Sequence, residues 1–102
     1  MNRALVLSVL ALPLMVLPAH AALSGYYDSA EQIGMILASP AVADAVHQAP
    51  IGSVSNTGTR KDGAKEWTVR VQECDLKVYL LPVLPAGTGK TTYLLDVPGQ
   101  CE

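Results

Sequence analysis

The sequence predicts an α+β fold in which two short helices precede a four-stranded antiparallel meander closed by a disulfide. Three observations support this fold class: helical spacing of apolar residues before Pro50, two-residue alternation after it, and one even pair of cysteines. Alternation with one apolar side indicates a sheet that is half buried, and the helices can cover that side. We therefore predict a leader at 1–21 and a single small domain at 22–102.

The leader is predicted from the first residues, "MNRALVLSVLALPLMVLPAHA". A positive Arg3 precedes the apolar run 4–17, and Ala19-His20-Ala21 then supplies the small residues that signal peptidase needs. A retained membrane anchor requires about 20 consecutive apolar residues, whereas this run is shorter and contains Pro13. We predict cleavage after Ala21 and export to the periplasm or the extracellular medium, with no stable membrane insertion after cleavage.

The helices are predicted at about 29–38 and 40–48. Ser29-Ala30-Glu31-Gln32 fits a capping box, in which Ser29 and Gln32 satisfy free backbone groups at a helix start. Ser39 can cap a second helix whose first residue is Pro40, although one kinked helix fits the same pattern.

Four strands are predicted, at about 51–58, 65–73, 76–84 and 91–97. In the second strand, Trp67, Val69 and Val71 alternate with polar residues, which places Trp67 in the core. Asp62-Gly63 is typical of a hairpin turn between the first two strands, and residues 85–90 connect the last two. Short connections of this kind favour an antiparallel meander.

The expected strand register brings the two cysteines together. A turn centred between Cys74 and Asp75 would set Val71 opposite Val78. In the next hairpin Leu80 faces Leu95, and the same register extended places Cys101 opposite Cys74. Facing Cβ atoms lie about 4.5–5.5 Å apart, so in an oxidising compartment we predict a Cys74–Cys101 disulfide.

The stretch "LPAGTGKTT" at 84–92 resembles half of a phosphate-binding loop. A complete loop has a glycine five residues before Gly89, where this chain has Leu84, and a helix that begins at the lysine. Residues 91–95 instead favour a strand. We predict a hairpin loop and no nucleotide site.

Few residues are available for catalysis in the exported chain. His47 is then the single histidine, no C-x-x-C pair exists, and we predict no metal, cofactor or catalytic residue. The formal net charge of −2 gives no preference for nucleic acid. A minimal hydrolase that uses the carboxylates of Glu66, Glu73 or Asp75 is the enzymatic alternative.

Four cations gather at one end of the predicted sheet, since alternate turns of a meander lie together. They are the candidate partner-binding residues Arg60, Lys61, Lys65 and Lys90. The leading hypothesis is an exported, non-enzymatic binding module such as an inhibitor, accessory subunit or adaptor. Its partner would be an envelope or extracellular protein, an acidic one where these cations make the contact. A structural component of the cell envelope is the second alternative.

Overall fold

The computed structural model describes residues 24–102, so the predicted leader and its cleavage site at Ala21 lie outside the described residues. In that range none of the helices has the length and apolar character needed to cross a membrane. The elements are α1 (Gly25–Ala38), α2 (Pro40–Ala45), β1 (Ile51–Thr59), β2 (Lys65–Val71), β3 (Cys74–Val83) and β4 (Thr92–Asp96). A small α+β fold with a four-stranded antiparallel sheet is therefore confirmed.

Helix α1 begins four residues earlier than predicted. The hydroxyl of Ser24 accepts a hydrogen bond from the backbone N–H of Tyr27 at 3.4 Å, so Ser24 is the N-cap. The predicted start at Ser29 is wrong, because Ser29 lies within the helix. A serine followed three residues later by a glutamine is a frequent pattern, and here the upstream serine forms the cap.

Helix α2 begins as predicted but ends early. Ser39 caps it by accepting the N–H of Val42 at 3.2 Å, and Pro40 occupies the first turn. The helix ends at Ala45 because His47 and Gln48 have φ values of 56° and 59°, in the left-handed region. Such residues terminate a right-handed helix, so the predicted end at residue 48 is wrong.

The strands follow the chain in the order β1-β2-β3-β4. The loop 60–64 joins β1 to β2, and Gly63 adopts a φ of 90° there, as the Asp62-Gly63 signal predicts. Asp62 also accepts the N–H of Ala64 at 3.1 Å, which fixes the turn. The strand boundaries lie within two residues of the predicted ones.

The β2–β3 register differs from the prediction by four residues. The turn consists of Gln72 and Glu73 alone, so Val71 faces Cys74 instead of Val78, and Trp67 faces Val78. Gln72 adopts a φ of 52°, which permits this tight turn without a glycine. The offset is an even number, and each side chain therefore keeps the face predicted for it.

The β3–β4 register and the disulfide are confirmed. Leu80 faces Leu95, and Cys74 is bonded to Cys101 with a Cα–Cα distance of 6.0 Å. Two further contacts hold Cys101: its N–H donates to the carbonyl of Ala45 at 2.7 Å, and His47 Nε2 donates to its carbonyl at 2.8 Å. The C-terminal residues are thereby attached to α2 as well as to β3.

The helices cover one side of the sheet, called here the helix face. Its core includes residues of both helices and of the sheet, together with Val46 and Cys101: Ile36, Val42, Ala45, Trp67, Val69, Val71, Leu76, Val78 and Leu80. Val69, Val78 and Leu80 are fully buried, and burial of each such side chain contributes about 1.5–3 kcal/mol. The opposite side, called the open face, has no helix over it among the described residues.

One buried polar side chain joins α1 to the sheet. Gln32 is only 3% exposed, and its Oε1 accepts the indole N–H of Trp67 at 2.9 Å. Its Nε2 donates to the hydroxyl of Tyr93 at 3.3 Å. A buried polar group is tolerated when its partners are present, so this residue sets the position of α1 over β2 and β4.

Removal of the disulfide should lower the free energy of unfolding by about 3–4 kcal/mol, because the bond restricts the unfolded chain. The test compares urea denaturation of the oxidised protein and a Cys74→Ser/Cys101→Ser variant, followed by the fluorescence of Trp67, the sole tryptophan. A loss below about 1 kcal/mol would show that the hydrogen bonds at Cys101 alone hold the C-terminal residues.

Replacement of Gln32 by leucine should cost about 1–3 kcal/mol of unfolding free energy, because the buried indole N–H of Trp67 loses its acceptor. Gln100→Leu is the matched control: Gln100 is exposed, and its replacement should change stability by less than about 0.5 kcal/mol. Equal effects of the two substitutions in urea denaturation would contradict a structural role for Gln32.

Candidate binding surface

Of the four cations predicted to bind a partner, Arg60 is the one that its neighbours hold most firmly. Its guanidinium forms ion pairs with Asp62 and Asp96, each at 2.9 Å, and lies 4.4 Å from the ring centre of Tyr79. Hydrogen bonds to Asp62 and then Asp96 raise the pKa of Arg60 above its already high ordinary value. The Arg60 guanidinium, in turn, lowers the pKa of Asp62. The position of Arg60 on the open face is therefore well defined.

The other three predicted cations lie elsewhere at the same end. Lys90 forms an ion pair with Glu31 of α1, on the helix side of the sheet. Lys61 is exposed and Lys65 half-buried, and neither has an ion-pair partner among residues 24–102. Arg60 and Lys90 thus point to opposite faces, and their charges are already matched by carboxylates.

Beside Arg60, the open face carries an exposed apolar cluster that was not among the predicted binding residues. Leu81 faces Leu94 across β3 and β4, and the next residue of that face on β3 is Val83. Leu94 is 62% exposed and Val83 41% exposed. With Arg60 and Tyr79 these three residues form what we call the open-face patch, an apolar centre with a charged rim. Alternation places them opposite the buried Leu80.

The base of the open-face patch is ordered by a polar network around Glu66. This carboxylate accepts hydrogen bonds from the Thr57 hydroxyl at 2.6 Å, from Lys77 at 3.3 Å and from the Tyr79 hydroxyl at 3.4 Å. The Thr57 hydrogen bond, followed by the contacts with Lys77, lowers the pKa of Glu66. Tyr79 is therefore fixed at its hydroxyl by Glu66 and at its ring by Arg60.

The carboxylates considered for hydrolysis do not converge on one cleft. The lowered pKa keeps Glu66 ionised, whereas a general acid needs a raised pKa. Asp75 forms an ion pair with Arg70 at 2.9 Å, and Glu73 is exposed in the β2–β3 turn. Within residues 24–102 no group of three or more His, Cys, Asp or Glu residues is arranged to hold a metal ion.

A cavity lies at the other end of the sheet, beside the disulfide. This open groove of about 830 Å³ is bordered by His47, Glu73, Cys74, Cys101 and Glu102, among other residues. The ring of His47 is engaged by the Cys101 carbonyl, which suits a structural role.

The "LPAGTGKTT" stretch connects β3 to β4. A phosphate-binding loop requires a helix after its lysine, but strand β4 begins at Thr92. Gly89 adopts a φ of 137°, consistent with its predicted role as a loop residue.

The chain matches no protein-family model, and no curated protein or solved structure matches it significantly. The candidate site therefore rests on the geometry of the described residues. The signal for the open-face patch is present in the sequence as two leucine pairs, Leu80-Leu81 and Leu94-Leu95. A pair of adjacent leucines in a strand places one apolar side chain on each face.

The contact between α1 and β4 includes a hydrogen bond that raises the pKa of a tyrosine. The Tyr93 hydroxyl donates to the carboxylate of Asp28 at 2.9 Å, and burial, followed by this contact, raises the pKa of Tyr93 to about 12. The folded protein thus retains the phenol proton at a pH where an unfolded tyrosine, with its ordinary pKa of 10.0, has lost it.

We expect stability to fall as the pH rises from 10.0 through about 12, because the unfolded chain releases the Tyr93 proton first. Below that window the contribution is fully present. Tyrosinate absorbance should show a step near pH 12 that disappears in Tyr93→Phe and moves to lower pH in Asp28→Asn. The assignment fails if the Tyr93→Phe variant keeps the step.

Proposed function

We propose that this chain is a small exported, non-enzymatic binding module that acts by protein–protein contact, as an inhibitor, accessory subunit or adaptor. The open-face patch is the observation that carries the proposal. It combines exposed leucine and valine side chains with an arginine that is stacked on a tyrosine, at a position that the fold does not need for its own core. Exposed apolar clusters with charged rims are typical of interaction sites.

The side chains of the open-face patch are ordered before binding, which favours tight binding of a partner. Arginine and tyrosine are frequent among the residues that dominate binding energy. Here both are held before binding, since Arg60 is fixed by two carboxylates and Tyr79 by Glu66. Side chains that are already ordered lose less conformational entropy on association.

The proposed partner is another envelope or extracellular protein. Its contact surface would present apolar side chains to Leu94 and Val83, and a carboxylate within reach of Lys61. Export is supported by the three-zone leader and by the Cys74–Cys101 disulfide, because such bonds persist in oxidising compartments.

Leu94→Glu should reduce capture of the partner by at least about tenfold, because a carboxylate would be buried in the apolar centre. The experiment compares cross-linked complexes of wild-type and variant protein, recovered from the exported fraction of the natural host and quantified by mass spectrometry. Tyr27→Glu, at a residue 63% exposed on α1, is the matched control and should leave capture unchanged.

Lys61→Glu tests the contribution of charge without breaking an ion pair among the described residues, and should weaken capture more at low salt than at high salt. Capture that is equal for wild type, Leu94→Glu and Lys61→Glu would refute the open-face patch as the docking site.

The recovered wild-type protein should have the mass of a chain that starts at Ala22; a full-length mass would refute the predicted cleavage.

A further inference from the structure

Strand β1 forms an edge of the sheet and has a neighbour on one side only. Its nine residues pair with β2, and no other strand of residues 24–102 lies along its outer side. The outward-facing N–H and C=O groups of such a strand are a template for another strand. Seven of the nine residues are small or polar, the exceptions being Ile51 and Val54, so the backbone is accessible.

The centre of β1 lacks the features that usually protect an edge strand. Its sequence, "IGSVSNTGT", contains no charged residue and no proline. Pairing with β2 is regular over Ser53–Asn56, and irregularities occur on either side of it. The other edge, β4, is five residues long, ends at the charged Asp96 and is followed by Pro98. The regular part of β1 therefore lacks the charge and the nearby proline found at β4, and the irregularities on either side confine pairing to Ser53–Asn56.

We propose that β1 pairs antiparallel with β1 of a second copy of this chain, about a two-fold axis within Ser53–Asn56. A two-fold pair brings each strand against itself, and an uncharged strand meets no like charge when it does so. Because the axis is perpendicular to the sheet, Val54 of each copy stays on the helix face. The product is one continuous eight-stranded sheet.

The distribution of charge favours the same arrangement. Antiparallel pairing reverses the second copy, so the loop 60–64 of one copy lies at the same end as the β2–β3 turn of the other. Lys61 and Lys65 belong to the first end, and Glu73 and Glu102 to the second. Opposite charges then face each other at both ends of the interface, which steers association and selects the antiparallel orientation.

The dimer would leave the open-face patch accessible. Leu94 and Val83 belong to the opposite side of each sheet, on β3 and β4, and the two-fold axis places both patches on the same face of the assembly. A dimer would therefore offer two equal docking sites to one partner or surface. The pairing itself does not depend on the proposed function.

The test is sedimentation velocity on the oxidised protein, purified from the exported fraction of its host, over a wide concentration range at low and high salt. The mass should change from that of one chain to that of two as concentration rises, and dimer formation should be weaker in high salt. Ser55→Lys, on the open face of β1, should raise the dimer Kd at least about tenfold because it introduces a charge into the pairing strand.

Leu94→Lys adds the same charge to the other edge strand and should leave the dimer Kd unchanged. The melting temperature and Trp67 fluorescence of both variants show that they are folded. In wild type, the amides of Ser53–Asn56 should exchange more slowly at concentrations that favour the dimer. A monomer at all concentrations overturns the proposal. A dimer that Leu94→Lys disrupts and Ser55→Lys does not also overturns it, since association then uses the open-face patch.

Discussion

The fold depends on the position of Cys101. This residue has no regular secondary structure around it, yet it joins three parts of the chain: β3 through the disulfide, α2 through the Ala45 carbonyl, and the turn after α2 through His47. A domain of this size buries only about 60–65% of the surface of its unfolded chain, so its core is small. A covalent bond between the C-terminal residues and the sheet compensates for that small core, and it also orients α2.

Polar groups have different roles on the two faces of the sheet. On the helix face, the buried Gln32 accepts the indole N–H of Trp67. An indole N–H left without an acceptor there would lower the free energy of unfolding. On the open face, the network around Glu66 is partly exposed to solvent, and its ion pair with Lys77 contributes little to stability. That network restricts the Tyr79 hydroxyl to one arrangement, and Asp62 and Asp96 hold Arg60 beside the Tyr79 ring. The helix face thus supplies stability, and the open face supplies a defined surface.

Much of the fold follows from the sequence because side-chain alternation in strands is a local property. The faces of Trp67 and Leu80 are examples, and the pairing of Cys74 with Cys101 follows because the chain has just two cysteines. The β2–β3 register was mispredicted since the left-handed conformation of Gln72 has no sequence signal comparable to a glycine. The start of α1 depends on which of two serines caps it. The leucine pairs indicate the apolar part of the open-face patch, but its charged rim was missed because Arg60 reaches Tyr79 and Asp96 from the loop 60–64, whose path the sequence alone does not predict.

Strand β3 continues beyond the end of β2. Lys65 is the first residue of β2 and faces Leu80, so Leu81, Pro82 and Val83 have β4 as their one neighbouring strand. Proline is accepted there because a strand with one free side needs fewer backbone donors. A two-stranded ribbon twists and bends more readily than a full sheet. Leu81, Val83 and Leu94 therefore lie on a two-stranded tip that can bend more readily than the four-stranded base of the sheet.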